Sequence, residues 1–223
     1  MPDPTGKPTV AILGGTGKEG RGLAYRLAKA GYQILIGSRV AEKANIAATE
    51  LVQRTGEKVC IEGMTNLEAA QIGDIAILTV PYSAHRETLE TVKAVLQGKM
   101  LIDVTVPLVP PKVSRVQMPS AGSAAQEALQ ILGENVQVTA AFQNISHKYL
   151  LQDGDVGCDV LVTGTSKEAR EQTLTLVSMA GLTGWDAGPI ENSVVVEGLT
   201  SVLIGINKRY GSTRAGIKIV GVV

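Results

Sequence analysis

Three glycines stand in the order G-x-G-x-x-G within Gly15-Thr16-Gly17-Lys18-Glu19-Gly20. The spacing suits a phosphate cradle. Gly15 is expected to allow a tight turn, Gly17 to leave room for a pyrophosphate, and Gly20 to let a helix pack close to a sheet. Free N–H groups at the helix start would face the phosphates, helped by the helix dipole. The segment Gly15, Thr16, Gly17, Lys18, Glu19 and Gly20 is therefore the expected dinucleotide site.

About 20 residues on, Ile36-Gly37-Ser38-Arg39 closes a second apolar run with no acid between 37 and 40. An acid there would bind a ribose 2′-hydroxyl. Ser38 offers a hydroxyl instead, and Arg39 a planar fork matched to phosphate oxygens. Lys43 lies four residues past Arg39, on the same face of a helix. These donors predict a 2′-phosphate, hence NADP(H) in preference to NAD(H).

No acid–base set accompanies the cradle. The two histidines belong to no Ser-His-Asp or Cys-His pattern. His85 reads as a surface helix residue and His147 as one nearer a pocket. Three strand ends carry apolar residues with a few hydrogen-bonding groups: Thr79–Tyr82, Val104–Pro110 and Ala141–Ser146. They read as pocket walls or as ordinary loops. Direct hydride transfer between two bound carriers needs proximity and orientation more than a protein acid. Lys208, Arg209, Arg214 and Lys218 cluster after Gly198 without an acid. That cluster fits an acidic ligand tail or a solvated helix end equally.

Alternating strands and helices must position these residues. Strands are expected at 9–13, 33–36, 58–61, 74–80, 100–104, 136–140 and 159–163. Helices are expected at 18–30, 41–54, 84–96 and 123–132, with a helical turn at 66–71. Pro107, Pro110, Pro111 and Pro119 make 105–120 a loop. The pattern is an α/β fold, a Rossmann-type doubly wound parallel sheet. After Ser166 it changes to a helix (167–180), an extended piece around Trp185 and a long helix (191–210). The expected division is an NADP-binding domain over 1–164 and a small helical C-terminal domain over 165–223, after a loose proline-rich leader at 1–8.

Composition limits the alternatives. The chain has 223 residues, 44% hydrophobic and 19% charged, enough for a substantial core. Lys+Arg and Asp+Glu are equal at 21 each, so nothing global favours nucleic acid. The start has no apolar signal region, and the greasiest stretch, Ser193–Ile206, is too short to span a bilayer and contains Glu197. Cys60 and Cys158 read as buried thiols with no metal or disulfide spacing. A cytoplasmic protein is expected, with no membrane partner.

The segments Val10–Gly20, Ile36–Arg39, Gly63–Asn66, Asp74–Pro81, Pro107–Pro110, Asp186–Pro189 and Gly216–Lys218 together resemble the NADPH-dependent reductases of coenzyme F420, in family order over nearly the whole chain. The resemblance implies a homodimer that passes a hydride reversibly between NADPH and the deazaflavin ring. It implies that Thr16, Ser38, Arg39 and Lys43 bind NADP. It also implies that Val80, Pro81, Leu108 and Val109 line the nicotinamide and deazaflavin pocket. Gln143 stands where archaeal members resemble Leu-His-Thr-Ile-Pro with a histidine. A Phe-Asn-Thr-Ile-Ser pattern like Phe142–Ser146 is similar to one in NADPH-dependent, flavin-linked ferric reductase domains. The alternatives are thus reduction of an ordinary flavin, or NADP(H) sensing without turnover.

Overall fold

Val10–Leu13 (β1) is buried on both faces, as an interior parallel strand requires. A computed structural model describes residues 6–56 and 59–222. Most of the leader and Lys58, the expected start of the third strand, lie outside those residues. Around β1 stand Ile34–Ser38 (β2), Ile61–Thr65 (β3), Ile75–Leu78 (β4), Met100–Asp103 (β5), Gln137–Ala140 (β6), Asp159–Gly164 (β7) and Thr183–Pro189 (β8). They form one sheet in the order β3-β2-β1-β4-β5-β6-β7-β8. Neighbours pair in parallel except β6 and β7, which are antiparallel.

Helices cover both faces, as the alternating pattern demands. Lys18–Lys29 (α1), Ala41–Thr55 (α2) and Lys167–Met179 (α7) bury Leu23, Leu27, Ala47, Leu51, Leu176 and Val177 against Val10, Ile12, Ile34 and Ile36. Asn66–Ile72 (α3), Tyr82–Val92 (α4) and Ala124–Leu132 (α5) bury Ala69, Leu89, Val92, Ala128 and Leu132 against Ala11, Leu13 and Leu78. Alternate residues of β1 serve the two cores, which is the period-2 rule at work. The doubly wound expectation holds.

Two boundaries differ from the expectation. The third strand lies at Ile61–Thr65, because β2 pairs Ile34 with Ile61 and Ser38 with Thr65. Gly63 permits this. A Cβ there would stand 2.3 Å from backbone atoms of Ala44 and Asn45, so α2 crosses β3 at a distance only glycine allows. The extended piece around Trp185 is β8, a full strand bonded to β7 in the same sheet. The sheet layer therefore continues past residue 165, through α7 and β8.

After it comes Ser193–Tyr210 (α8), and the tail that follows returns to the start of β7. The tail is fixed by the N–H of Asp159 donating to the Ile217 carbonyl (2.8 Å) and that of Ile219 donating to the Asp159 carboxylate (2.8 Å). His147–Leu150 (α6) lies beside α1. The buried Arg26 guanidinium holds that region by donating to the carbonyls of Leu150, Tyr149, Gln152 and Ala180. Cys158 is buried as expected, whereas Cys60 is exposed, because it precedes the shifted strand.

Candidate functional site

A cleft of about 990 Å³ opens at the carboxyl ends of β1, β2, β4 and β5, where the strand order reverses between β1 and β4. Open α/β sheets bind ligands at this switch point. Thr16, Gly17, Lys18, Glu19, Ser38, Arg39, Lys43, Val80, Pro81 and Leu108 all line it. Four expected residues do not. Gly15 and Gly20 lie beneath the loop, Val109 is 44% exposed outside the cleft, and Gln143 is buried away from it.

Each fingerprint glycine has its own reason. The positive φ of the turn belongs to Gly14 (φ 72) and not to Gly15. Gly15 is needed because a Cβ would meet the Ile12 carbonyl oxygen at 2.7 Å. At Gly20 a Cβ would stand 2.6 Å from Gly15 Cα and 2.7 Å from Thr79 Oγ1, the close helix–sheet approach that was expected. A Cβ at Gly17 meets only the Gly14 oxygen at 3.5 Å and the Thr79 oxygen at 4.0 Å. Its backbone is ordinary extended (φ −71, ψ 167). The fold does not require glycine at 17; a ligand approaching the backbone would.

Among the described residues α6 and α8 start without a side-chain cap away from the cleft, and α1, α2 and α4 start without one beside it. α3, α5 and α7 are capped by the side chains of Thr65, Ser123 and Ser166. α1, α2 and α4 begin at Gly17, Val40 and Pro81, none of which makes a side-chain cap. All three of those cap residues line the cleft. Orphan N–H groups and positive dipole ends thus converge on one cavity, an arrangement suited to phosphates. Arg39 and Lys43 are exposed at the α2 start and Ser38 is buried beside them, as a 2′-phosphate pocket needs.

Asn66 also lines the cleft, a position the sequence did not single out. Its Oδ1 accepts from the Gly14 N–H at 3.0 Å and fixes the glycine loop. The capping box from Thr65 to Glu68 marked a helix start there, but the contact to Gly14 spans 52 positions and has no local signal. Glu19 is unusual. Burial pushes its carboxyl up to about 8, and its Oε1 is buried with no partner among the described residues.

The apolar end of the cleft rests on a buried polar cluster. His85, expected at the surface, is 1% exposed because it turns toward β5, with its Nε2 at 2.7 Å from the Asp103 carboxylate. The Asp103 Oδ1 also accepts from the N–H of Thr105 at 2.9 Å, and the Asp103 carbonyl accepts from the Gln143 amide at 2.8 Å. One residue therefore ties the 105–108 loop, the 142–146 loop and α4 together. His85 is desolvated by burial, but Asp103, Glu127 and Glu197 outweigh this and raise its pKa. Phe142, buried at φ 72, stores backbone strain at the same place. α8 closes the region: Thr200 Oγ1 donates to the Gln143 carbonyl and the Asn144 amide donates to the Val196 carbonyl. His147 faces a separate hollow on the other side of Lys18.

Comparison with known proteins agrees with this geometry. The family model described as NADP oxidoreductase, coenzyme F420-dependent, matches residues 9–107. The F420-dependent NADP reductase of Methanocaldococcus jannaschii is 40% identical over 218 residues, covering 94% of this chain and 97% of that protein. The metalloreductase STEAP3 of Rattus norvegicus is 27% identical over 198 residues, covering 88% of this chain but 37% of that protein. A solved structure from Arthrobacter superposes with a TM-score of 0.80 at 23% identity, covering 96% of this chain and 100% of that one, a likeness of fold. The chain belongs to the family of F420-dependent NADP reductases.

Proposed function

We propose that this protein transfers a hydride reversibly between NADP(H) and coenzyme F420. The observation that carries the reading is the division of one cleft into two ends. The first collects the uncapped starts of α1 and α2 with Ser38, Arg39 and Lys43; the second is walled by Val80, Pro81 and Leu108. The family's reductases act on this pair of carriers by name.

The open space over Gly17 and the uncapped helix starts fit a dinucleotide. NADP(H) supplies or accepts the hydride when bound. The chain's own residues bind, orient and exclude water. Backbone N–H groups at the start of α1 would hold the pyrophosphate, and Arg39 with Lys43 would hold the 2′-phosphate. Val80, Pro81 and Leu108 give an apolar wall beside which the reacting rings would be held. No general acid is assigned, since stacking reacting carbons at about 3–3.5 Å supplies most of what such a transfer needs.

Cofactor choice follows from the α2 start. Arg39→Ala removes a charge-assisted contact of about 1.5–3 kcal/mol and should weaken NADPH binding roughly 10- to 150-fold. NADH binding should barely move. Calorimetric titration of both cofactors checks this, and equal affinity of the unmodified protein for the two would contradict the assignment.

Glu19 gives the cleft a pH dependence. Below about 8 its carboxyl is neutral; above that it becomes a carboxylate in a cavity that must hold phosphates. NADPH affinity should therefore fall as pH rises through about 8. Glu19→Gln, which stays neutral, should flatten that part of the curve. Coincident wild-type and variant profiles would refute a role for the carboxyl.

The reading includes a homodimer. Val195, Val202, Ile206 and Tyr210 are exposed along α8, with Leu199 half-buried on the same stripe. The steps of 4, 3, 4 and 4 residues form an apolar seam of the kind two antiparallel helices share across a two-fold axis. Sedimentation should show a dimer that Val202→Glu splits. Among the described residues no helix is long and apolar enough to cross a membrane, and the reading places the protein in the cytoplasm with small molecules as its substrates. The reaction itself is tested by mixing protein, NADPH and coenzyme F420 and following the deazaflavin absorbance.

A further inference from the structure

Two walls of the cleft leave the sheet side by side. After β4 comes the start of α4, which gives the cleft Pro81, Tyr82 and Ala84; after β5 comes the loop that gives it Thr105, Val106 and Leu108. The β4–β5 pairing ends at Leu78 and Asp103. Just beyond it, a buried pair joins the two walls from behind. His85 of α4 is 1% exposed and Asp103 of β5 is fully buried, their Nε2 and Oδ2 stand 2.7 Å apart, and neither lines the cleft. The same carboxylate accepts from the Thr105 N–H through Oδ1 at 2.9 Å. Its orientation therefore sets the direction in which the loop leaves the strand. A link on the cleft side is longer: the Thr105 hydroxyl reaches the Val80 carbonyl at 3.5 Å.

Acids act on His85 from three elements: Asp103 of β5, Glu127 of α5 and Glu197 of α8. Its own helix adds Tyr82, whose ring centroid is 5.8 Å away, and Arg86, which pairs with Glu127 at 2.5 Å. His85 Nδ1 stands 3.6 Å from the Glu127 carboxylate, which also accepts from the Tyr82 hydroxyl at 3.0 Å. Burial lowers the imidazole pKa, and the three acids more than offset it. A buried ion pair adds little stability over apolar residues of the same volume, because taking two charges out of water costs about as much as their attraction contributes. What a charge-assisted hydrogen bond adds is a fixed geometry between the elements it joins. Hydride transfer depends steeply on placement, since about 1 Å of misplacement costs roughly 100-fold in rate. We propose that His85 and Asp103 are positioning residues for the hydride transfer, fixing the Pro81 and Leu108 walls against each other; the inference rests on the hydride-transfer reading above.

The test compares three variants. His85→Leu removes the partner, His85→Gln keeps an amide that can donate to Asp103, and Asp103→Asn keeps an acceptor for the Thr105 N–H. Single-turnover mixing of NADPH-loaded protein with coenzyme F420 reads the hydride step, and calorimetry reads NADPH affinity. His85→Leu should slow the hydride step roughly 30- to 100-fold, the loss expected of about an ångström of misplacement. Asp103→Asn, which exchanges a charge-assisted bond for a neutral one, should slow it about tenfold. His85→Gln should restore most of what leucine loses. NADPH affinity should stay within about twofold in all three, since the helix starts that face its phosphates are elsewhere. Amide exchange at Thr105 should quicken at least about tenfold in His85→Leu. A hydride step at the wild-type rate in His85→Leu, glutamine no better than leucine, or an equal loss of NADPH affinity overturns the proposal. If His85→Leu does not fold, Asp103→Asn decides: slowed transfer with NADPH affinity kept supports the pair, and wild-type transfer overturns it. If the unmodified protein reduces no coenzyme F420, the hydride reading fails and Thr105 exchange still decides the pair: quickened, the pair holds the wall; unchanged, it does not.

Discussion

Gly17→Val should abolish NADPH binding, with an affinity loss of at least about 100-fold, while the protein stays folded. The reasoning rests on what surrounds each glycine. At 17 an added Cβ would meet, beyond its chain neighbours, only carbonyl oxygens at 3.5 and 4.0 Å, ordinary van der Waals distances, so the empty protein has room for a side chain to start there. The valine methyl groups would then occupy the space where phosphates approach the start of α1. Gly20→Ala is the contrasting control. Its Cβ would stand 2.6 Å from Gly15 Cα and 2.7 Å from Thr79 Oγ1, so it should damage the fold before it damages binding. Calorimetry with thermal melts separates the two. Tight NADPH binding by folded Gly17→Val would place the phosphates elsewhere.

The second large effect is on stability. Glu197 of α8 is fully buried and accepts from the N–H groups of Ala124 (2.7 Å) and Ala125 (3.1 Å), the first two residues of α5. It caps one helix from another and ties α8 to the sheet layer. Glu197→Ala leaves two buried donors unpaired, at a cost of roughly 2–4 kcal/mol, and should lower the melting temperature by roughly 5–15 °C. Glu197→Gln keeps one acceptor and should lose less. Burial first, then the nearby Asp103, pushes the Glu197 carboxyl up to about 8, against the hydrogen bonds and His85.

The direction of its pH effect follows. The folded protein keeps this proton to about pH 8, whereas the unfolded chain releases it near 4.5. The folded state thus binds more protons between those values, and this group's contribution to stability declines as pH rises from about 4.5 to about 8. Denaturant melts of wild type and Glu197→Gln should differ most in slope over that window. A Glu197→Ala protein as stable as wild type would remove the capping role.

What the sequence made legible was local. The glycine fingerprint, the cation pair after β2 and the apolar ends of β4 and β5 each occupy a few consecutive residues and come together in the cleft, whereas the third expected wall, 141–146, lies outside it. Alternation and turn residues carried the doubly wound sheet. What stayed hidden is long-range. His85 reads as a surface helix residue until β5 places Asp103 against it, 18 residues away. Asn66 reaches the glycine loop across 52 positions and Glu197 reaches α5 across 73. No periodicity reports such pairs.

The C-terminal cations show the same limit. Lys208, Arg209, Arg214 and Lys218 look like one patch along the chain, yet only Arg214 lines the hollow, joined there by Lys18, Arg54 and Lys148 from elsewhere. β8 was obscured because its half-buried edge position and two glycines weaken the alternation that marks a strand.

The most direct test of the central claim is a steady-state assay in which the unmodified protein receives NADPH with coenzyme F420, or NADPH with riboflavin-type flavins. The account predicts that NADPH bleaches the deazaflavin absorbance, that NADP⁺ restores it from the reduced form, and that NADH substitutes poorly. Ready reduction of ordinary flavins with none of the deazaflavin, or tight NADPH binding with turnover of neither, would contradict it.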